Sequence, residues 1–369
     1  MLEVLPTVLI CIILAYCSQN RLFSVQITEK YRFDIPLFAI ILILGFFVGL
    51  RNNYNDTSMY IRNFKIASTV DQYLETAPDL VDNPLFYSFV SYFRHSISDN
   101  HHLYLLTISF FTNTSLILFI KKYSTNFTLS LVIFFAIGLF YDTMGAMKQT
   151  LAIAILTYAL RALFKKKYLV FYIIVFIAML FHTYAVFFAI LPLFMNKPWS
   201  LFTYVTIVGV IVVLFSFQSA LDIVLSAAEE TGKSIDTEGL MHNLGINPLR
   251  LAVFGIPPLL SFIFQKQLET KYTREKSILL NMGIISFLIM LMGIFNGANL
   301  FGRFSGYFEI GSIIMLPWII DEIFDDRSVQ MASLVVGLCY IAFFTYLSIG
   351  FDAKYSSVTL GQFINSLQA

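Results

Sequence analysis

Apolar runs close to the length of a membrane span recur along this chain, and they restrict its fold more than any other feature. They lie near 2–18, 35–50, 103–120, 127–141, 145–163, 168–195, 200–217, 249–265, 277–295, 303–320 and 329–348. A helix crossing the hydrocarbon core of a bilayer needs about 20 mostly apolar residues, with a range of about 17 to 25. No single soluble core can take all of them. Of the 369 residues 58% are hydrophobic and only 13% charged, against about 25% charged in a soluble domain. Lipid must solvate most of this surface, so the expected fold is an all-α polytopic membrane protein with one transmembrane domain over 1–369. The opening run, LEVLPTVLICIILAYC, lacks a basic leader and a small-residue cleavage site. It therefore reads as a retained helix rather than a secretion signal.

The run 168–195 is too long for one span and short for two, and His182-Thr183 stands at its centre. Charge placement separates the readings, because Lys and Arg concentrate in cytoplasmic loops. If the run breaks into two short helices at His182, most of the 24 basic residues fall on one side. That side holds Arg21, Lys30, Arg32, Lys121, Lys122, Arg161, Lys165 to Lys167, Lys197, Lys266, Lys271, Arg274, Lys276 and Arg327. An unbroken span would instead put the Lys266–Lys276 group outside. The broken reading gives about twelve crossings with both termini outside the cytoplasm. It leaves two sizeable outer loops, 51–102 and 218–248. The first carries Asp71, Glu75, Asp79 and Asp82 with the aromatic pairs Phe86-Tyr87 and Tyr92-Phe93. In the second, Ala220–Ala228 suits a short interfacial helix.

Several chemistries are excluded at this level. Net charge is +1, which gives no reason to expect a nucleic-acid partner. Cys11, Cys17 and Cys339 lie inside apolar runs and form neither a disulfide framework nor a metal site. Metal-ligand spacings, a phosphate loop ending in Gly-Lys-Ser/Thr and a GxSxG elbow are all missing, so neither metal nor cofactor is expected.

What stands out is a set of cations on the side the charge rule disfavours. Arg51, Lys148, Arg250 and Arg303 each start or end an otherwise apolar helix. One such residue alone is as well explained by snorkelling to headgroups. Four together point to a shared anionic ligand, and guanidinium groups suit bidentate contact with phosphate. His182 reads either as a hydrogen-bonded histidine at a broken helix or as a proton-transfer or phosphate-binding group. Asp56 and Asp142 are possible carboxylate bases, with helix capping the plainer account of each.

These residues lie in segments that resemble a family. GLRNNYNDTSMYIRNF, MKQTLAIAILTYAL, FHTYAVFFAILPLF and NLFGRFSGYF are similar, in order, to motifs of the EpsG-like exopolysaccharide polymerases, relatives of the Wzy-type O-antigen polymerases. The matches span about residues 49 to 308, and Lys148 departs from the arginine usual at its position. The resemblance implies a GT-C-like glycosyltransferase of the bacterial inner membrane. Its substrates would be polyprenyl-diphosphate-linked oligosaccharides, polymerised at a membrane-edge site built from outer loops. Membrane lipid and a chain-length regulator protein would be its partners. On that reading Arg51, Arg303, Arg250, Lys148 and His182 hold the diphosphate. Asp56 or His182 supplies the base, and Tyr60 and Tyr307 stack on sugars. A transporter or flippase for lipid-linked sugars is the alternative; it would place its charges nearer the bilayer midplane.

Overall fold

The structure, a computed structural model, describes residues 4–28, 32–76, 79, 82–215, 245–294, 297–349 and 351–368. The expected outer loop 218–248, with its interfacial helix, lies almost wholly outside the described residues. The chain packs as two compact units, Met1–Ala189 with Gln330–Ala369, and Ile190–Val329.

In chain order the first unit opens with α1 (Val4–Gln19), the hairpin β1 (Ser24–Gln26) and β2 (Arg32–Asp34), and α2 (Ile35–Gly49). Then come β3 (Arg51–Asn53), α3 (Thr57–Ile66), α4 (Val70–Glu75) and α5 (Pro84–Tyr92), which runs into a π turn, Phe93–Ile97. α6 (His101–Tyr123), α7 (Phe127–Ala136), α8 (Leu139–Gly145), α9 (Met147–Phe164) and α10 (Tyr168–Phe181) follow. A 3-10 helix, Thr183–Phe194, leads into the second unit. There α11 (Leu201–Phe215), α12 (Pro248–Ile263), α13 (Gln265–Leu268), α14 (Arg274–Met292), α15 (Ala298–Gly306) and α16 (Glu309–Ile323) follow one another. The chain returns to the first unit through α17 (Val329–Leu347), α18 (Phe351–Lys354), β4 (Ser356–Ser357) and α19 (Leu360–Ser366).

Among the described residues three helices, α6, α14 and α17, are long and apolar enough to cross a membrane. Counting each bent pair as one span raises this to 5. The 127–141 run is such a pair, bent by 52° where Gly138 takes φ 98° between α7 and α8. α1, α2, α10 and the 3-10 helix are apolar but shorter. The run 168–195 does break at His182, which caps α10 in an extended conformation.

Within the first unit the helix ends sort into two groups. At one end Ser18 donates to Asp34 (2.6 Å), Asp34 pairs with Lys121 (3.9 Å) and Gln19 accepts from Thr128. The rings of Phe119, Tyr123 and Phe164 meet at this end as well. Lys122 and Lys165 to Lys167 adjoin these contacts in sequence. At the other end Tyr141 bonds to Ser348 (2.6 Å), and Tyr54, Tyr141 and Phe351 stack together. The C-terminal segment closes over this second end. Ser356 and Ser357 pair antiparallel with Arg51–Asn53, and Tyr355 donates to Phe47 O (2.8 Å).

Small residues allow the closest helix contacts, as expected where lipid removes the hydrophobic drive between helices. A Cβ on Gly49 of α2 would lie 2.8 Å from the Leu106 backbone of α6, and Ser109 bonds to Gly45 O (2.9 Å). In the second unit α14 and α16 cross at Gly283 and Gly311. A Cβ on Gly311 would overlap the Leu279 carbonyl.

The segment 51–102, expected as an outer loop, is folded against α6 and α9. Tyr60, Phe64, Phe86, Val90, Phe93, Tyr104 and Met147 form one buried cluster. The aromatic pairs therefore divide: Phe86 and Phe93 are inside, while Tyr92 faces out.

Candidate active site

Arg51 is reached directly from the end of α2, and it is fully enclosed, 0% exposed. Its Nη1 donates to Val48 O (2.6 Å), one of the carbonyls left open where α2 stops. Its Nε donates to Thr57 Oγ1 (2.9 Å) at the start of α3, and that hydroxyl donates to Tyr54 O (2.7 Å). Its Nη2 points at the Met147 sulfur (3.4 Å) on α9. No carboxylate pairs with it among the described residues. Burial pushes the guanidinium pKa down to about 10, with Tyr60, Tyr104 and Tyr355 opposing the shift, so it remains charged at neutral pH. The expected diphosphate ligand thus sits inside the protein and ties three elements together.

Asp56 precedes α3 in the cap position but makes no side-chain cap bond, and its carboxylate is exposed. Five residues from Arg51 in sequence, it forms no ion pair with it; the guanidinium turns to Thr57, Val48 and Met147 instead. Tyr60, expected to stack on sugar, is 4% exposed and packs edge-on against Phe86. Asp142 lies half-buried in the first turn of α8.

Lys148 is the second residue of α9, directly after the Met147 that Arg51 holds. Its Nζ donates to the Tyr87 hydroxyl (3.3 Å) and lies over the rings of Tyr87 and Phe86, 5.1 and 5.8 Å from their centres. It is half-buried and has no carboxylate partner among the described residues. Aromatic faces attract a cation electrostatically and hold it without neutralising it.

His182 is half-exposed, whereas His102 is buried, at 6% exposure. The His182 ring stands edge-on to Tyr184, 5.4 Å away. The peptide after it is fixed from the outer segment. Asn83 Oδ1 accepts from the Thr183 N–H (2.9 Å) and hydroxyl (3.3 Å), with Asn83 itself left-handed at φ 57°. Asn83 was not singled out from the sequence, and Tyr87 was named there only within an aromatic pair. An Asn-Pro step is a turn signal, but nothing local says which peptide the asparagine holds.

In the second unit, Arg250 on the first turn of α12 lies beside α15, the helix that carries Arg303. Arg250 Nη1 lies 4.0 Å from where a Cβ on Gly302 would be, so the missing side chain leaves room for the guanidinium beside its neighbour. Arg250 lies over the Phe254 ring, and its buried Nε has no hydrogen-bond partner among the described residues. Arg303 is exposed and donates from Nε to Asn299 Oδ1 (3.2 Å). Tyr307, the other expected sugar platform, is 1% exposed. The expected residues thus form two groups, one in each unit: Arg51, Asp56, Tyr60, Lys148 and His182 in the first, Arg250, Arg303 and Tyr307 in the second.

Apolar helices with arginine or lysine at their ends define a helical membrane protein. The family follows from the sequence as a whole: this chain belongs to the EpsG family, which matches residues 34–360. Membership implies a membrane polysaccharide polymerase of the glycosyltransferase kind. No curated protein and no solved structure matches the chain.

Proposed function

We propose that this protein transfers a growing glycan from polyprenyl diphosphate to the sugar of a lipid-linked repeat unit at the outer face of a bacterial inner membrane. The observation that supports this reading is Arg250 at the start of α12, whose buried Nε has no hydrogen-bond partner among the described residues and whose Nη1 lies beside Gly302, the residue before Arg303. In the transfer, the acceptor hydroxyl oxygen bonds to the anomeric carbon as the bond from that carbon to the diphosphate breaks. The leaving group gains negative charge. Arg250 and Arg303 neutralise it, and fixed positive groups are most effective where charge develops. Asp56 takes the proton the acceptor loses, as an exposed carboxylate in no ion pair among the described residues. Lys148 and His182 are further diphosphate candidates of the first unit, where Arg51 serves by holding the junction of α2, α3 and α9 in place. The end of the first unit that carries Arg51 faces outward and the lysine-rich end faces the cytoplasm, within about twelve crossings of GT-C-like arrangement. A separate chain-length regulator is the partner expected of such an enzyme.

The test is complementation of a deletion strain. The double variant Arg250→Gln/Arg303→Gln should reach the membrane in normal amount, lose long polymer and accumulate single lipid-linked units, whereas Lys166→Ala should make normal polymer. One charge-assisted contact is worth about 1.5 to 3 kcal/mol, or about 10- to 150-fold in turnover. Long polymer at the wild-type level from the double variant would remove both arginines from the site and leave the reading without support.

A further inference from the structure

The outer segment carries a second basic surface that the transfer chemistry does not use. α3 ends with Arg62 and Lys65, three residues apart on one face and both exposed. The π turn brings Arg94 and His95 alongside: Arg94 Nη1 and His95 Nε2 share the Ala67 carbonyl at 2.8 and 3.0 Å. α6 then opens with His101 and His102, their rings 4.2 Å apart, and the charge of Lys65 acts on both. None of these six side chains is in an ion pair with a described residue. The acids Asp71 and Glu75 lie on α4, and Asp99 is exposed without a partner.

Apolar side chains are set among these cations with nothing in the first unit covering them. Ile66 is 72% exposed, Ile97 54% and Tyr92 53%. The contacts at Ala67 draw the end of α3, with Ile66, and the π turn, with Ile97, together. The place in the fold decides what meets this face. α6, which begins at His101, is long and apolar enough to cross a membrane, and the patch adjoins the first turn of that helix. Aliphatic and aromatic side chains flanked by cations at such a helix end are the pattern of a surface that sinks into the headgroup layer. A sugar would not require the isoleucines, and a wholly apolar partner would not require the cations.

We propose that the face formed by Arg62, Lys65, Ile66, Tyr92, Arg94 and Ile97 docks onto anionic phospholipid headgroups and holds the α3–α5 segment down on the bilayer. The cations meet lipid phosphates while Ile66, Ile97 and Tyr92 enter the boundary with the acyl chains. The face thereby fixes the segment that carries Tyr87 to Lys148.

Amide hydrogen exchange of the full-length protein tests this in nanodiscs of phosphatidylcholine alone or mixed with phosphatidylglycerol. Peptides covering 60–68 and 92–98 should exchange at least about threefold more slowly with the anionic lipid, and added salt should erase the difference. Arg62→Gln/Lys65→Gln should abolish the difference, with exchange across 50–54 unchanged as the check that the corner is intact. Ile66→Ser/Ile97→Ser should speed exchange of both peptides in either lipid. Equal exchange of the wild type in the two lipids would overturn the proposal. So would protection produced as well by inorganic phosphate in phosphatidylcholine discs. Neither outcome depends on polymer formation, so loss of the transferase reading leaves this test standing.

Discussion

Replacing Arg51 by alanine should damage the fold and not only the chemistry. The guanidinium donates to Val48 O at 2.6 Å and Thr57 Oγ1 at 2.9 Å, in a site with no exposure. Hydrogen bonds to a charged group are worth about 1.5 to 3 kcal/mol each, so losing both removes about 3 to 6 kcal/mol. Relief from holding a desolvated charge offsets part of this, and the cavity left behind adds to it. A net loss of about 2 to 4 kcal/mol remains, because Val48 O is left buried without a donor. At about 2 to 4 °C per kcal/mol for a domain of this size, the melting temperature should fall by roughly 5 to 15 °C. Thermal unfolding of the purified protein in detergent, followed by intrinsic fluorescence, reads this directly. Arg51→Lys keeps the charge but loses the fork and should fall between the two. An alanine variant that melts with the wild type and yet makes no polymer would refute the argument. It would return Arg51 to the role of a ligand.

Two further predictions follow from single contacts. Tyr87→Phe removes the oxygen that Lys148 reaches at 3.3 Å but keeps the ring beneath it; polymer formation in membranes should drop about two- to tenfold, with melting unchanged. Gly311→Ala places a methyl group against the Leu279 carbonyl; α16 must move away, at about 1 to 3 kcal/mol or more, seen as lower melting and less protein in the membrane.

The features legible in the sequence are those set by neighbours along the chain. Apolar runs become helices because their backbone groups must be satisfied where water is absent. The break at His182 follows from a run too long for one span with polar groups at its centre. What the sequence did not disclose depends on distant partners. Whether Arg51 faces a ligand or the interior is decided by Met147, on another helix. Tyr60 and Tyr307 were expected to meet sugar through the family resemblance, yet both are buried, Tyr60 against Phe86. The bend in 127–141 was concealed differently. Gly138 is a single residue in an apolar run, and only its left-handed backbone shows that the helix stops there.

The contacts of the first unit also explain how one buried arginine can matter to residues it never touches. Arg51 fixes Thr57, the first residue of α3, and Met147, the first residue of α9. The next residue of α9 is Lys148, whose Nζ is held by Tyr87 of α5. α5 begins after Asn83, which grips the peptide following His182. Corner, lysine and helix break are therefore linked through consecutive side-chain contacts, each a short polar or charged interaction within one packed cluster. Side chains that share a network lose energy together rather than one at a time. A change at Arg51 should thus reach Lys148 through the start of α9.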